Sequence, residues 1–262
     1  MGFIFICLGL GLVAGLAAGL LGVGGGLLIV PVLALLLPAR GVADAAVMPL
    51  ALGSSLATIA FTSLSSMRAH HRRGAVDWPR AWRLSTGILA GAWAGGFLAH
   101  AAGGGLLARL FGLFELAVAT HMLVGRAAST RGRVPARAAD LAAGAVIGLL
   151  SALLGIGGGT LTVPWLVWHG MPVRRAVGSA AACGLPIALA GSVGYLVAGW
   201  RVTGLPAGST GYLYWPAIVS VSAASVLAAR WGAALAHRLS QQYLKRFFAL
   251  LLAGLGLVML VG

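Results

Sequence analysis

Three consecutive glycines interrupt an apolar run at Gly24-Gly25-Gly26, and the same interruption returns as Gly157-Gly158-Gly159. Glycine brings no side chain to pack in a helix and loses the most backbone freedom on ordering, so three in a row break a helix. The surroundings repeat as well. Gly22-Val23 matches Gly155-Ile156, Gly11 and Gly15 match Gly144 and Gly148, and Pro31 matches Pro164, each pair 133 residues apart. Further on, Gly53-Ser54 matches Gly178-Ser179 at a spacing of 125, and Trp78-Pro79 matches Trp215-Pro216 at 137. A unit of roughly 120 residues is far longer than a solenoid repeat, so the chain reads as two fused copies of one fold built on a broken helix.

Composition fixes the solvent. Of 262 residues, 60% are apolar and 8% charged, and the mean hydropathy is +1.00, too little charge to cover a soluble protein of this length. Stretches such as 84–102 and 243–261 carry no acid and hardly any base, and about twenty apolar residues cross a bilayer as a helix. A formal charge of +14 would point to nucleic acid in a soluble chain. Here the bases fall in short loops between apolar spans, where they orient the protein and meet anionic lipid, so no nucleic-acid partner is expected. Met1 to Leu10 lacks a basic leader region, and no cleavable signal peptide is expected. Cys7 and Cys183 both lie in apolar segments and predict no disulfide.

The first apolar block runs over 3–37 with the glycine break inside it; spans follow over 44–67, 82–101 and 106–124. The second copy retraces this with a broken block over 141–169 and spans over 176–198, 212–229 and 243–261. Residues 1–125 form the first membrane repeat, 126–139 a cytoplasmic linker, and 140–262 the second repeat. If each broken block crossed the membrane, Arg230, Arg238, Lys245 and Arg246 would face the side opposite Arg68, Arg72 and Arg73, against the positive-inside rule. If each block enters and returns on one side, the loops 68–83, 126–140 and 230–246 all fall inside. Each copy then has three crossings plus a re-entrant hairpin. An odd number of crossings inverts the copies relative to each other. The predicted fold is an all-α polytopic membrane protein of two inverted repeats, each a glycine-broken re-entrant helical hairpin plus three transmembrane helices. The segment 3–21 would be about 28 Å long as a helix, long for a half-membrane arm.

Non-helical backbone at membrane depth is tolerated only where protein or a water-filled cavity surrounds it. The helices opening at the two clusters would present free amides and positive dipole ends near the midplane, which favours an anion. Gly24, Gly25 and Gly26 with Gly157, Gly158, Gly159 and Thr160 are therefore candidate substrate-binding groups. Glycines spaced by four, such as Gly87, Gly91 and Gly95, read instead as helix-packing positions. A dinucleotide loop with Asp44 as its acid fails, because no strand precedes the cluster and Val177 stands at the matching place in the second copy. Ser54, Thr58, Thr62 and Ser65 recur at helical spacing and form a polar stripe. Ser179 matches Ser54 and Cys183 matches Thr58, so Ser54, Thr58, Ser179 and Cys183 join the candidate site, the alternative being hydroxyls bonded back to their own helix and a thiol that only fills space.

Glu115 is the one acid at the centre of a predicted span, and its counterpart Leu252 is apolar. An intramembrane carboxylate is costly, so Glu115 is a candidate for proton coupling, the bland reading being a neutral acid bonded to a neighbouring helix. Arg68, Arg72, Arg174 and Arg175 lie at span ends as a candidate anion entrance, or serve topology alone. The histidines show no ligand spacing, so no metal is expected, and no cofactor is called for.

GLLGVGGGLLIVP at Gly19 to Pro31, LLGIGGGTLTVP at Leu153 to Pro164 and the Gly-Ser openings of the spans that follow resemble the TauE/SafE sulfite exporter family over nearly the whole chain. The resemblance implies a multi-pass transporter of the bacterial inner membrane that moves small sulfur-containing anions such as sulfite, sulfoacetate or other organosulfonates. The expected function is export of such an anion. The alternatives are an uptake permease of the same fold and, from another class, an intramembrane enzyme or thiol-handling membrane factor, for which the chain offers neither a nucleophile with its base nor paired cysteines. The expected partners are the small anionic substrate and the lipid bilayer, with a homodimer left open.

Overall fold

The computed structural model describes residues 2–21, 25–124, 135–235 and 241–261. The first copy holds α1 (Gly2–Leu21), α2 (Gly26–Leu36), a 3₁₀ turn at Pro38–Arg40, α3 (Asp44–Arg72), α4 (Trp78–Ala102) and α5 (Gly104–Val124). The second holds α6 (Arg137–Leu153), α7 (Gly159–Trp168), α8 (Val173–Ala198), the short strands β1 (Ser209–Thr210) and β2 (Leu213–Tyr214), α9 (Trp215–Leu235) and α10 (Gln241–Val261). α2 opens at Gly26 and α7 at Gly159, each on the last glycine of its triplet. Among the described residues the fold is mostly helical, with one small antiparallel β1–β2 pair, and α3, α5 and α8 are each long and apolar enough to cross a membrane.

Local signals set the ends. Asp77 caps α4 by accepting the Arg80 amide at 3.2 Å, with Pro79 in the first turn, where a missing N–H costs nothing. Gly103, at φ 76°, turns α4 directly into α5, a conformation that side chains with a β-carbon rarely adopt.

Packing is arranged so that each copy completes the other. α4 lies along α6, with Gly87 against Leu141, Gly91 against Ala145 and Gly148 against Ile88; α1 lies along α9, with Gly11 against Val221 and Gly15 against Ser225. Residue numbers rise together in both seams, so both pairs are parallel. They are repeat images of one another: Gly11 on Val221 corresponds to Gly144 on Leu84, and Gly15 on Ser225 to Gly148 on Ile88. Small residues bring backbone to backbone contact there, as in close-packed membrane helices. In the centre α3 meets α8. Gly53 sits against Tyr195, Leu56 against Gly191 and Ser63 against Gly184, so numbers fall on one helix as they rise on the other and the pair is antiparallel. α5 packs against α10 beside this core.

Each broken block folds back on itself. Gly25 packs beside Ala14, eleven residues earlier, while the Arg40 guanidinium beyond α2 lies 5.1 Å over the ring of Phe3 near the start of α1. α2 therefore returns alongside the first half of α1, which absorbs the 20-residue length of α1. In the second copy Trp165, near the end of α7, bonds to Asp140 in the first turn of α6. α2 is buried over most of its length, whereas Gly159, Thr160, Leu161, Val163 and Pro164 of α7 retain exposure.

The ends of the bundle differ in charge. Arg68, Arg72 and Arg73 end α3, Arg80 and Arg83 begin α4, and Arg137, Arg174 and Arg175 begin α6 and α8 at this same end, joined through Asp77–Ser179, Asp77–Arg175 and Arg80–Asp140 contacts. The opposite end carries Arg40, bonded to Tyr214, Arg109 near the start of α5, and Arg201 in the loop before β1. The linker residues 125–134 lie outside the described residues.

Candidate functional site

The two breaks meet. A β-carbon at Gly26 would fall 2.5 Å from the Gly155 carbonyl and 3.0 Å from the Ile156 Cα, so only glycine lets the first break lie against the second. Ser55 of α3 donates to that same Gly155 carbonyl at 2.8 Å. Gly155 has φ 58°, the left-handed conformation that this reversal requires.

The two helix starts then differ. The Gly25 carbonyl receives the Leu28 and Ile29 amides at 3.0 Å, and Ile59 of α3 lies against both breaks, since a β-carbon on Gly26 would meet its Cδ1 at 3.1 Å and one on Gly157 its Cγ2 at 3.5 Å. The position matching Ile59 in the second copy, 125 residues on, is Gly184. It packs directly against Gly158, and the Ser63 hydroxyl lies beside it, 2.7 Å from where a Gly184 β-carbon would stand. The amides of Gly157, Gly158 and Gly159 have no acceptor among the described residues. They form the positive end of a ten-residue helix, an arrangement that suits a small oxyanion.

The polar groups singled out from the sequence all line the α3–α8 axis, but they bond to backbone. Ser54 Oγ accepts the Tyr214 amide and Ser179 Oγ accepts the Asp77 amide, both at 2.9 Å. These bonds are repeat images, each fixing the residue before a Trp-Pro helix start of the other copy. Thr58 donates to its own helix at the Ser54 carbonyl, 2.9 Å away, and the Cys183 thiol faces the Ala81 carbonyl at 3.8 Å. Thr160 lies in the first turn of α7, and Gly24 falls outside the described residues. Glu115 is fully buried in the α5–α10 seam beside Gly256, and neither carboxylate oxygen has a partner among the described residues. Arg68, Arg72, Arg174 and Arg175 gather at the basic end, where Arg175 pairs with Asp77 at 3.1 Å.

Sequence reasoning passed over Ser63 and the buried pair Arg80–Asp140. Asp140 sits at the edge of an arginine-rich linker and Arg80 just after a turn, so both read as surface charges. Subtracting the repeat spacing would have exposed them: Asp140 aligns with Cys7 and Arg80 with Ala217, residues that have no business at a charged surface.

The family described as sulfite exporter TauE/SafE matches residues 7–259. A "probable membrane transporter protein" of Haemophilus influenzae is 35% identical over 95% of both chains. One from Methanocaldococcus jannaschii is 27% identical over 96% of this chain and 93% of its own, and one from Bacillus subtilis is 27% identical over 76% and 80%. No solved structure matches. The chain belongs to the sulfite exporter TauE/SafE family, and with it to the membrane transporters.

Proposed function

We propose that the protein is a secondary transporter that exports a small sulfur-containing anion, such as sulfite, sulfoacetate or another organosulfonate, through a midplane site where the two broken helices meet. The observation that carries this reading is the contact of the two breaks, with the α7 amides left unpartnered beside the Ser63 hydroxyl. Dipole and amides would hold the anion without a buried arginine in contact, which keeps affinity moderate enough for release. In this reading Gly25, Gly26, Gly157, Gly158, Gly159 and Thr160 form the site. Ser54, Thr58, Ser179 and Cys183 flank it along α3 and α8. Glu115 carries the coupling proton, and Arg68, Arg72, Arg174 and Arg175 attract anions at the entrance.

The copies are inverted repeats with re-entrant hairpins. Support comes from the antiparallel α3–α8 pair, since equivalent spanning helices run oppositely only if the copies are upside down to each other. Phe3 against Arg40 supports a hairpin that starts and ends on one side. The basic end is then cytoplasmic, in an inner membrane. Export follows the family's description.

Thermal unfolding of the purified protein with sulfite, sulfoacetate or taurine, and choline as cationic control, tests the reading. A ligand that binds only the folded state raises apparent stability. Stabilisation by the anions alone supports an anion site, and efflux of the stabilising anion from loaded vesicles gives the direction. No stabilisation by any of them overturns the proposal.

A further inference from the structure

At the end of the bundle opposite the arginine cluster, α4 and α8 finish side by side. They run parallel, since Ala81 lies by Cys183 and Gly96 by Gly194, and at the glycine pair backbone meets backbone. Beyond that contact the two helix ends open into a notch of about 430 Å³, lined by His100, Val197, Ala198, Trp200 and Arg201. No carboxylate lines it, and Arg201 has neither a hydrogen bond nor an ion pair among the described residues.

His100 is held by its Nδ1, 2.9 Å from the Tyr212 hydroxyl. Tyr212 is 4% exposed, and its hydroxyl has no other acceptor among the described residues. The hydroxyl therefore donates to Nδ1, which places the ring proton on Nε2. The notch thus offers an oxyanion two kinds of donor, the His100 Nε2–H and the Arg201 guanidinium.

Below the notch the outward surface is apolar. Trp93 and Phe97 stack at 4.8 Å on the stripe of α4 that leads to His100, and Val193 and Val197 lie one turn apart on the stripe of α8 that leads to Trp200 and Arg201. Trp93, Val193 and Val197 are each half-exposed. The other copy reverses this order: at the repeat spacing of 125, Arg68 stands for Val193, Arg72 for Val197 and Val76 for Arg201. Duplication by itself therefore does not produce an apolar strip ending at a cation.

We infer that the notch and strip bind one phospholipid, its phosphodiester on Arg201 and His100 Nε2 and an acyl chain along Trp93, Val193 and Val197. The chain belongs to a family of membrane transporters, so a bilayer covers this face, and Trp and Arg at the water end of a span stand at headgroup depth. A free oxyanion would use the two donors and leave the strip bare, whereas a lipid matches both. Charge selects among lipids. With no carboxylate in the notch to receive an ammonium group, an anionic phosphoglycerol headgroup fits better than phosphocholine. The lipid site is independent of what is transported and in which direction.

Native mass spectrometry of the full chain, purified in detergent and titrated with dimyristoyl phosphatidylglycerol, tests this. A single lipid should be retained well before others add, and the phosphatidylcholine of the same chains should bind more weakly. Arg201→Gln should weaken the first binding about tenfold, the loss of a hydrogen bond to a charged acceptor. Arg109→Gln, which removes another exposed charge at the same end but outside the notch, should leave it unchanged. Excess inorganic phosphate or glycerophosphoglycerol, which offer the oxyanion without chains, should not displace the lipid. Uptake of several lipids with no distinct first site, or equal effects of Arg201→Gln and Arg109→Gln, would mean general attraction to the membrane surface and overturn the inference. Displacement by phosphate or by the chainless headgroup assigns the notch to a free anion and overturns it as well.

Discussion

Replacing Gly157 by alanine separates anion binding from folding at the α7 end. A β-carbon at Gly157 would meet only Ile59 Cγ2, at 3.5 Å, which is ordinary van der Waals contact. The neighbouring Gly158 is different: its β-carbon would lie 2.7 Å from the Ala180 carbonyl and 3.0 Å from the Gly184 amide nitrogen. Overpacking of that kind costs about 1–3 kcal/mol and would confuse a binding result with a folding one. Gly157→Ala should leave unliganded stability within about 0.5 kcal/mol of the parent. In the proposed site its methyl group would stand beside the amides that meet the anion. Losing one hydrogen bond to a charged acceptor costs about 1.5 kcal/mol or more, hence about tenfold in affinity. With sulfite at about 100 times the parent's Kd, the parent gains about 2.7 kcal/mol and a tenfold weaker variant about 1.4 kcal/mol. The anion-induced rise in unfolding temperature should therefore fall to about half at unchanged baseline. A variant that folds like the parent and is stabilised as strongly would refute the placement of the anion at α7.

Single cysteines at Ser129 and Ser240, in a background without Cys7 and Cys183, should both be labelled from the cytoplasmic side of intact cells; labelling from opposite sides excludes inverted copies. Glu115→Gln should abolish the dependence of vesicle transport on a pH gradient while anion stabilisation persists, and unchanged dependence would leave the buried acid a structural role. Gly91→Ala should destabilise the α4–α6 seam by about 1–3 kcal/mol, because the added carbon collides with the Ala145 carbonyl. Gly15→Ala should do the same to the α1–α9 seam through the Ser225 carbonyl, as thermal unfolding of each variant would show.

Much of the fold is legible in the residues because its determinants are local. Apolar runs of membrane length, glycine triplets that no helix accommodates and spacings of 133, 125 and 137 state the helices, the breaks and the duplication without reference to any contact. The family motif lies in the same stretches, so membership was legible too. Pairing was not. That α1 packs on α9 rather than on a helix of its own copy depends on shape matching between glycine faces far apart in the chain.

The site divides the same way. Glycines at a helix break announce free amides wherever they occur, so the backbone groups proposed to meet the anion were legible in the sequence. Which hydroxyls stand beside those amides depends on helix rotation and on the antiparallel register of α3 and α8. Ser54 and Ser179 turn to the Tyr214 and Asp77 amides, and Ser63, an ordinary residue in the sequence, lies against Gly184. Ile59 against Gly184 and Cys7 against Asp140 show the remaining difference. Sequence determined the matched spacings of the two glycine clusters; only the tertiary structure decided that Gly26 lies against Gly155 and that Gly184 packs on Gly158, because such contacts join separate segments and no single segment contains them.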